Sequence, residues 1–192
     1  MIWLLACAPV VVDWPGELPE AAEGGELRGD SATPPEDSWP EPTACAAEPT
    51  GPTAQGPFGP LYAEGDVAED QAFSDGHTLH DLCTQRVMVV TGSAWCAPCG
   101  LLSGRLQAIQ DANPGVQVVK VLVEGPTGAP STAQDRAAWA EEHGLETVWV
   151  VSDPEGWWGM VEADGAWPSI SHFGTEAEVL SVDEGIEDPG RI

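Results

Sequence analysis

The fold is decided by residues 86–100, which read Arg86-Val87-Met88-Val89-Val90-Thr91-Gly92-Ser93-Ala94-Trp95-Cys96-Ala97-Pro98-Cys99-Gly100. The first six are a short, mostly β-branched run, which is typical of a buried strand. Two cysteines follow at i and i+3, where a helix is predicted to begin. In a first helical turn this spacing puts both side chains on one face, so that the two sulfurs can reach disulfide distance.

The two cysteines are predicted to differ in reactivity. Cys96 lies at the helix N-terminus, where free N–H groups and the helix dipole favour a thiolate near neutral pH. Cys99 lies one turn further in, is less exposed, and can attack a mixed disulfide formed on Cys96. Pro98 fits the first turn, because a missing N–H is tolerated there.

Apolar patterns predict further strands and helices. Residues 116–123 and 147–151 are strand-like runs, and residues 169–173 and 178–182 are predicted to form a closing antiparallel hairpin. Residues 57–82 are predicted to form an N-terminal hairpin against the same sheet.

Helices are predicted between the first three strands. Leu102, Leu106 and Ile109 share one helix face. A second helix is predicted from Ser131-Thr132-Ala133-Gln134, which has capping-box spacing beginning on Ser131, and Gly144 is predicted to end it. This order predicts parallel strands with right-handed crossovers.

The composition excludes several classes of protein. The 192 residues carry 32 acids and 6 bases, a formal net charge of −26, which excludes a polybasic surface for nucleic acid or anionic lipid. A hydrophobic content of 42% with nine tryptophans excludes a wholly disordered chain. No stretch approaches the roughly 18 apolar residues of a membrane span.

Proline and charge divide the chain near residue 57. Residues 8–56 hold ten acids and one base, without strand or helix periodicity, and are predicted to be a disordered acidic, Pro-rich linker. A partner-binding segment around Trp14 and Trp39 is the alternative. Residues 57–192 are predicted to form the folded domain.

The Trp95–Cys99 motif after a β-branched strand resembles the thioredoxin superfamily. The N-terminal extension and the Asp75-Gly76 … Leu79 … Leu82 segment are more similar to its TlpA/ResA-type exported oxidoreductases. The resemblance implies an α/β thioredoxin fold with a central mixed sheet flanked by helices and an N-terminal β-hairpin extension.

The family also implies an activity and its partners. It implies a thiol–disulfide oxidoreductase that reduces disulfides of exported proteins and is re-reduced by a membrane electron donor. The domain is expected to be a monomer that needs no cofactor and no metal. The Ala97-Pro98 dipeptide resembles those of reducing members.

The resemblance further implies a substrate-binding rim around the cysteines. A cis-proline is expected at Trp167-Pro168, with the backbone of Trp167 offered to the substrate chain. The rim is completed by three residues of the motif, Trp95, Ala97 and Pro98.

The acid often found beneath the cysteines in this superfamily has no match on the first strand. Glu124, at the end of the second strand, is the candidate proton acceptor for Cys99, and a solvated loop carboxylate is the alternative.

The N-terminus resembles a lipoprotein signal. Leu4-Leu5-Ala6-Cys7 is similar to a bacterial lipobox, so that residues 1–7 are interpreted as a truncated signal and Cys7 as the lipidated residue. This predicts an exported protein on the periplasmic side of the envelope, anchored in the outer membrane through lipid alone.

The remaining cysteines leave two possibilities open. Cys45 and Cys83 form a structural disulfide, which suits an oxidising compartment, or stay unpaired. The Trp157-Trp158 pair either lines the groove beside Cys96 or belongs to the core.

Three other functions remain as alternatives. A structural zinc site lacks a second ligand pair of suitable spacing. A peroxiredoxin-like thiol peroxidase has the required Ser93-x-x-Cys96 spacing but lacks the expected proline, since Val89 stands in its place. A non-catalytic thioredoxin-fold binding module would not need both cysteines.

Overall fold

A computed structural model describes residues 45–56, 59–153, 156, 158 and 166–184. Cys7, the linker before residue 45, Trp14, Trp39 and Trp157 lie outside the described residues. A five-stranded sheet forms the centre, in the order β5-β4-β3-β6-β7. Its strands are β3 (Arg86–Gly92), β4 (Val116–Leu122), β5 (Trp149–Val151), β6 (Ser169–Phe173) and β7 (Val179–Glu184).

The sheet is mixed, as predicted. β3, β4 and β5 run parallel, and β6 and β7 are antiparallel to their neighbours. The parallel strands are joined by helices α1 (Ala97–Ala112) and α2 (Ala133–His143). Among the helices of the described part, none is long and apolar enough to cross a membrane.

Each face of the sheet buries its own apolar cluster. Inward residues of β3 such as Met88 and Val90 pack against Leu102 and Leu106 of α1 and Trp139 of α2. The alternate residues of β3 face the other side, where the segment before β3 covers them. Trp158 is fully buried in this second cluster, its ring stacked on Phe73 with 5.4 Å between centroids. Trp158 is therefore a core residue.

The N-cap of the second helix lies one residue later than predicted. Thr132, not Ser131, is the N-cap, and its hydroxyl and the Asp135 carboxylate form a reciprocal capping box. The predicted end is confirmed, because Gly144 adopts the left-handed conformation with φ 62°.

The predicted N-terminal hairpin is present, but its bounds differ from residues 57–82. The hairpin pairs β1 (Ala54–Gly56) with β2 (Gly59–Leu61) and forms a separate two-stranded sheet. Most of residues 62–83 is irregular. Side chains satisfy its backbone instead of a strand ladder: Asp66 accepts from the N–H groups of Thr53 and Ala63. Burial alone would raise the pKa of Asp66, but these hydrogen bonds outweigh it and lower the pKa.

Residues 45–56 contact the domain that is predicted to begin at residue 57. Cys45 is disulfide-bonded to Cys83, with 5.3 Å between the Cα atoms. The Thr50 N–H donates to the Val67 carbonyl at 3.1 Å. Residues 45–56, which the sequence assigned to the linker, therefore lie against the domain. Their composition is that of a linker, and a covalent bond with a few hydrogen bonds holds them in place.

Candidate active site

The turn between β3 and α1 brings the two cysteines together. Cys96 is the N-cap of α1, and it is joined to Cys99 in a disulfide with 5.2 Å between the Cα atoms. The Cys99 backbone N–H also points at the Cys96 sulfur, 3.3 Å away. Once the disulfide is reduced, the same N–H and the helix dipole stabilise negative charge on Cys96.

The surroundings make the two sulfurs unequal. Cys96 is 7% exposed, whereas Cys99 is fully buried. The residues between them, Ala97 and Pro98, are exposed. A thiol or disulfide from solution can therefore approach Cys96, while Cys99 is positioned for an intramolecular reaction.

Aromatic rings border this turn. Trp95 is 55% exposed, and its ring centroid lies 5.7 Å from that of Trp167. The Trp167–Pro168 peptide bond is cis, as predicted. Pro168 directly precedes β6, whose first residue pairs with Thr91 at the end of β3. The fold thus places Trp167 beside Trp95, although the two residues are 72 positions apart in the sequence.

Glu124 has a different partner from the one predicted. Its carboxylate accepts a hydrogen bond from the Trp95 indole N–H at 2.6 Å, and its backbone carbonyl accepts from the Ala94 N–H at 2.9 Å. Within the described residues, no hydrogen bond joins Glu124 to Cys99. Glu124 therefore fixes the Trp95 ring at the rim rather than lying beneath the cysteines.

The residue beneath Cys99 is a lysine, which was not among the predicted site residues. Lys120 lies in the middle of β4 and is fully buried. A Cβ built on Gly92 would lie 2.6 Å from the Cys99 sulfur and 3.1 Å from the Lys120 Nζ. Because both atoms lie so close to this one point, the Cys99 sulfur and the Lys120 Nζ are near neighbours. The signal in the sequence was Lys120 itself, the one charged residue in the otherwise mostly apolar strand β4.

Other polar side chains lie near the turn. The Ser93 hydroxyl is buried and has no hydrogen-bond partner among the described residues. Within the same part of the chain, no three His, Cys, Asp or Glu side chains are grouped so that they could hold a metal ion.

Solved structures share this fold. A Chlorobium tepidum protein described as the thiol:disulfide interchange protein DsbE has a TM-score of 0.52 and 22% identity, over 66% of this chain and 88% of that one. The thioredoxin domain of a Bacteroides vulgatus thiol-disulfide oxidoreductase has a TM-score of 0.50 and 18% identity, over 67% and 93%. The chain has the thioredoxin fold.

A third solved structure extends the comparison. A peroxiredoxin-like protein from Aquifex aeolicus matches the same thioredoxin fold with a TM-score of 0.51 and 20% identity, over 68% of this chain and 84% of that one. No protein-family model and no curated protein matches the sequence. These likenesses establish the thioredoxin fold.

Gly92 gives a first test of the site. We expect Gly92→Ala to lower the free energy of unfolding by about 1–3 kcal/mol, since the added methyl group overlaps the Cys99 sulfur. Denaturant unfolding measures this. Gly104→Ala is the matched control, because nothing lies within 4 Å of a Cβ at that helical position. It is expected to stabilise α1 by about 0.5–1 kcal/mol. Equal effects of the two changes would contradict the close packing at Gly92.

Proposed function

We propose that the protein is a thiol–disulfide oxidoreductase that reduces disulfides of exported proteins through Cys96 and Cys99. The position of Cys96 carries the proposal: its sulfur lies at the start of α1, faces a backbone N–H and is bonded to a buried second cysteine. This arrangement suits a nucleophile with a resolving partner.

The exchange proceeds in two steps. The Cys96 thiolate attacks one sulfur of the substrate disulfide, and the other substrate sulfur leaves. The Cys99 thiolate then attacks Cys96, the Cys96–Cys99 disulfide forms, and the remaining substrate sulfur leaves as a thiolate. The substrate gains two electrons and the protein dithiol loses two.

Substrate chains are proposed to bind across the rim of the turn. Trp95, Ala97 and Pro98 offer exposed apolar surface next to Cys96. Trp167 lies against Trp95, and together with Pro168 it borders the same turn. We assign the backbone of Trp167 to an extended segment of substrate, and the two indole rings to its apolar side chains.

Location and partners follow from the same proposal. The Cys45–Cys83 disulfide suits an oxidising compartment. With the lipobox-like Cys7 it supports an exported, lipid-anchored protein. We propose that this protein is a monomer and is re-reduced by an electron donor in the membrane. The net charge of −26 favours basic or neutral substrate proteins over acidic ones.

A peroxidase is less well supported. The Ser93 hydroxyl, which has the spacing of a peroxide-binding group, is fully buried. It is therefore not placed to meet a peroxide at the accessible side of Cys96.

The test is equilibration of the Cys96/Cys99 couple with glutathione or dithiothreitol buffers, together with reduction of a disulfide peptide. We expect a potential nearer to the about −270 mV of thioredoxin than to the about −120 mV of DsbA. A potential near that of DsbA would reverse the direction of the reaction. Consumption of hydrogen peroxide without reduction of the peptide would indicate a peroxidase.

A further inference from the structure

One carboxylate lies at the aromatic rim of the active turn. The Glu124 Oε2 accepts the indole N–H of Trp95 at 2.6 Å, whereas its Oε1 has no hydrogen-bond partner in the part of the chain that the structure describes. The side chain of Glu124 is only half-buried. Because the two oxygens of a carboxylate accept several hydrogen bonds, Glu124 has room for a further donor that arrives from solution.

The backbone holds Glu124 in a fixed position. Its carbonyl accepts from the Ala94 N–H at 2.9 Å, and the residue forms an antiparallel bridge with Pro130. Directly before it, the Val123 N–H donates to the Gly92 carbonyl at 2.9 Å. The chain on both sides of the carboxylate is therefore tied to the active turn and to the loop that follows β4.

The two indole rings of the rim form an open corner beside this carboxylate. Trp95 is 55% exposed, its ring centroid is 5.7 Å from that of Trp167, and the two ring planes meet at 54°. The face of an indole ring attracts cations more strongly than the other aromatic side chains do. Because the N–H edge of Trp95 is bonded to Glu124, a cation above that ring is also close to the carboxylate.

The corner has no cation of its own. Within the described residues, no Lys, Arg or His side chain forms an ion pair with Glu124. The group behind it is another carboxylate, since a Cβ built on Gly125 would lie 2.8 Å from the Asp135 Oδ2. Arg136 follows Asp135, but its guanidinium is half-buried and donates to the Ser152 hydroxyl at 3.1 Å. A positive charge that complements the corner has to come from another molecule.

We propose that Glu124, Trp95 and Trp167 form a subsite for a lysine or arginine side chain next to the reacting cysteine of the substrate, an inference that rests on the proposed exchange activity. The apolar stem of such a side chain lies across the indole rings, and its charged end reaches the carboxylate. The preferred substrates are therefore disulfide proteins with a basic residue beside the cysteine that Cys96 attacks.

A local subsite differs from the general attraction exerted by a net charge of −26. The general field acts on every basic group of a substrate, and salt screens it over about 10 Å at 0.1 M ionic strength. The subsite acts only on a side chain that reaches the rim while the substrate sulfur faces Cys96. The position of the base within a substrate of constant total charge therefore separates the two effects.

Isomeric peptides measure this difference on the unaltered protein. Each substrate is a symmetric disulfide dimer of a short peptide with one lysine, placed either directly beside the cysteine or at the far end. The reduced full chain in a Cys7→Ser background is mixed with each peptide under pseudo-first-order conditions. Dividing by the rate with dithiothreitol corrects for the intrinsic reactivity of each disulfide. We expect the peptide with the adjacent lysine to react about 10-fold faster.

Glu124→Gln tests the carboxylate alone. The amide oxygen of glutamine still accepts the Trp95 N–H, so that the ring keeps its partner while the charge is removed. We expect the ratio between the two isomers to fall to about threefold or less, the part that the indole faces supply. Glu146→Gln is the matched control, because it removes one charge from an exposed residue before β5, at the end of the parallel strands opposite the active turn. It should keep the wild-type ratio.

The outcomes separate the subsite from the proposed function. Equal corrected rates of the two isomers with the wild type would overturn the subsite, and a ratio that Glu124→Gln leaves unchanged would overturn the role of its carboxylate. An equal loss with Glu146→Gln would assign the preference to the overall charge instead. A wild type that reduces neither peptide would overturn the proposed exchange activity itself.

Discussion

Replacing Cys96 with serine is expected to abolish disulfide reduction. Cys96, at the start of α1, is the partly exposed cysteine of the pair, and a serine hydroxyl is a far weaker nucleophile at neutral pH. We expect the rate of peptide disulfide reduction to fall at least about 1000-fold. The measurement is thiol release from a disulfide peptide under pseudo-first-order conditions.

The Cys99→Ser variant tests the role of the second cysteine. Because Cys96 is retained, the first attack should proceed and the mixed disulfide should accumulate, visible as a covalent adduct by mass spectrometry. Cys7→Ser is the control, since Cys7 lies far outside the motif, and it should keep full activity in solution. Turnover that survives Cys96→Ser would refute the assignment of the nucleophile.

Removing the Cys45–Cys83 disulfide is expected to have the largest effect on stability. The bond closes a loop with a sequence separation of 38, and a loop of that length corresponds to about 3–4 kcal/mol in the chain-entropy account. The double variant Cys45→Ala/Cys83→Ala should lose this much free energy of unfolding in denaturant titrations. Changing both cysteines avoids a free thiol.

The second disulfide supplies the matched control. Cys96 and Cys99 are separated by only three positions, so that Cys96→Ala/Cys99→Ala removes a much smaller loop. Its effect on stability should be clearly smaller. A Cys45→Ala/Cys83→Ala protein that unfolds at the wild-type denaturant concentration would show that residues 45–56 do not depend on the bond.

Much of the sheet could be predicted because its strands are locally encoded. The valine-rich runs of β3 and β4 carry their own signal, and the helical spacing between them fixes parallel order. The cap of α2 was misplaced because Ser131 and Thr132 are both good caps, and the Asp135 carboxylate decides between them. The hairpin before β3 is shorter than predicted, since most of residues 62–83 is ordered by side-chain contacts such as those of Asp66.

The site residues could likewise be predicted where the signal is local, and could not where it depends on tertiary contacts. Cys96 and Cys99 lie within one turn, so that a local motif suffices to find them. Lys120 meets Cys99 only through the register of β4 beside β3 and the space at Gly92, which no linear pattern displays. Glu124 was chosen for its position at the end of β4, but its carboxylate turns to the indole of Trp95. The count of cysteines left the pairing of Cys45 with Cys83 open.

Burial of the only lysine has a practical consequence for finding partners. Amine-reactive reagents modify accessible amino groups, and the side chain of Lys120 has no exposed surface. Apart from a terminal amine, the folded chain therefore offers such reagents no point of attachment. In a mixture with candidate substrates, amine-directed labels would mark the partner and spare this protein. In the mixed disulfide that accumulates with Cys99→Ser, such a label would then mark only the unidentified substrate protein.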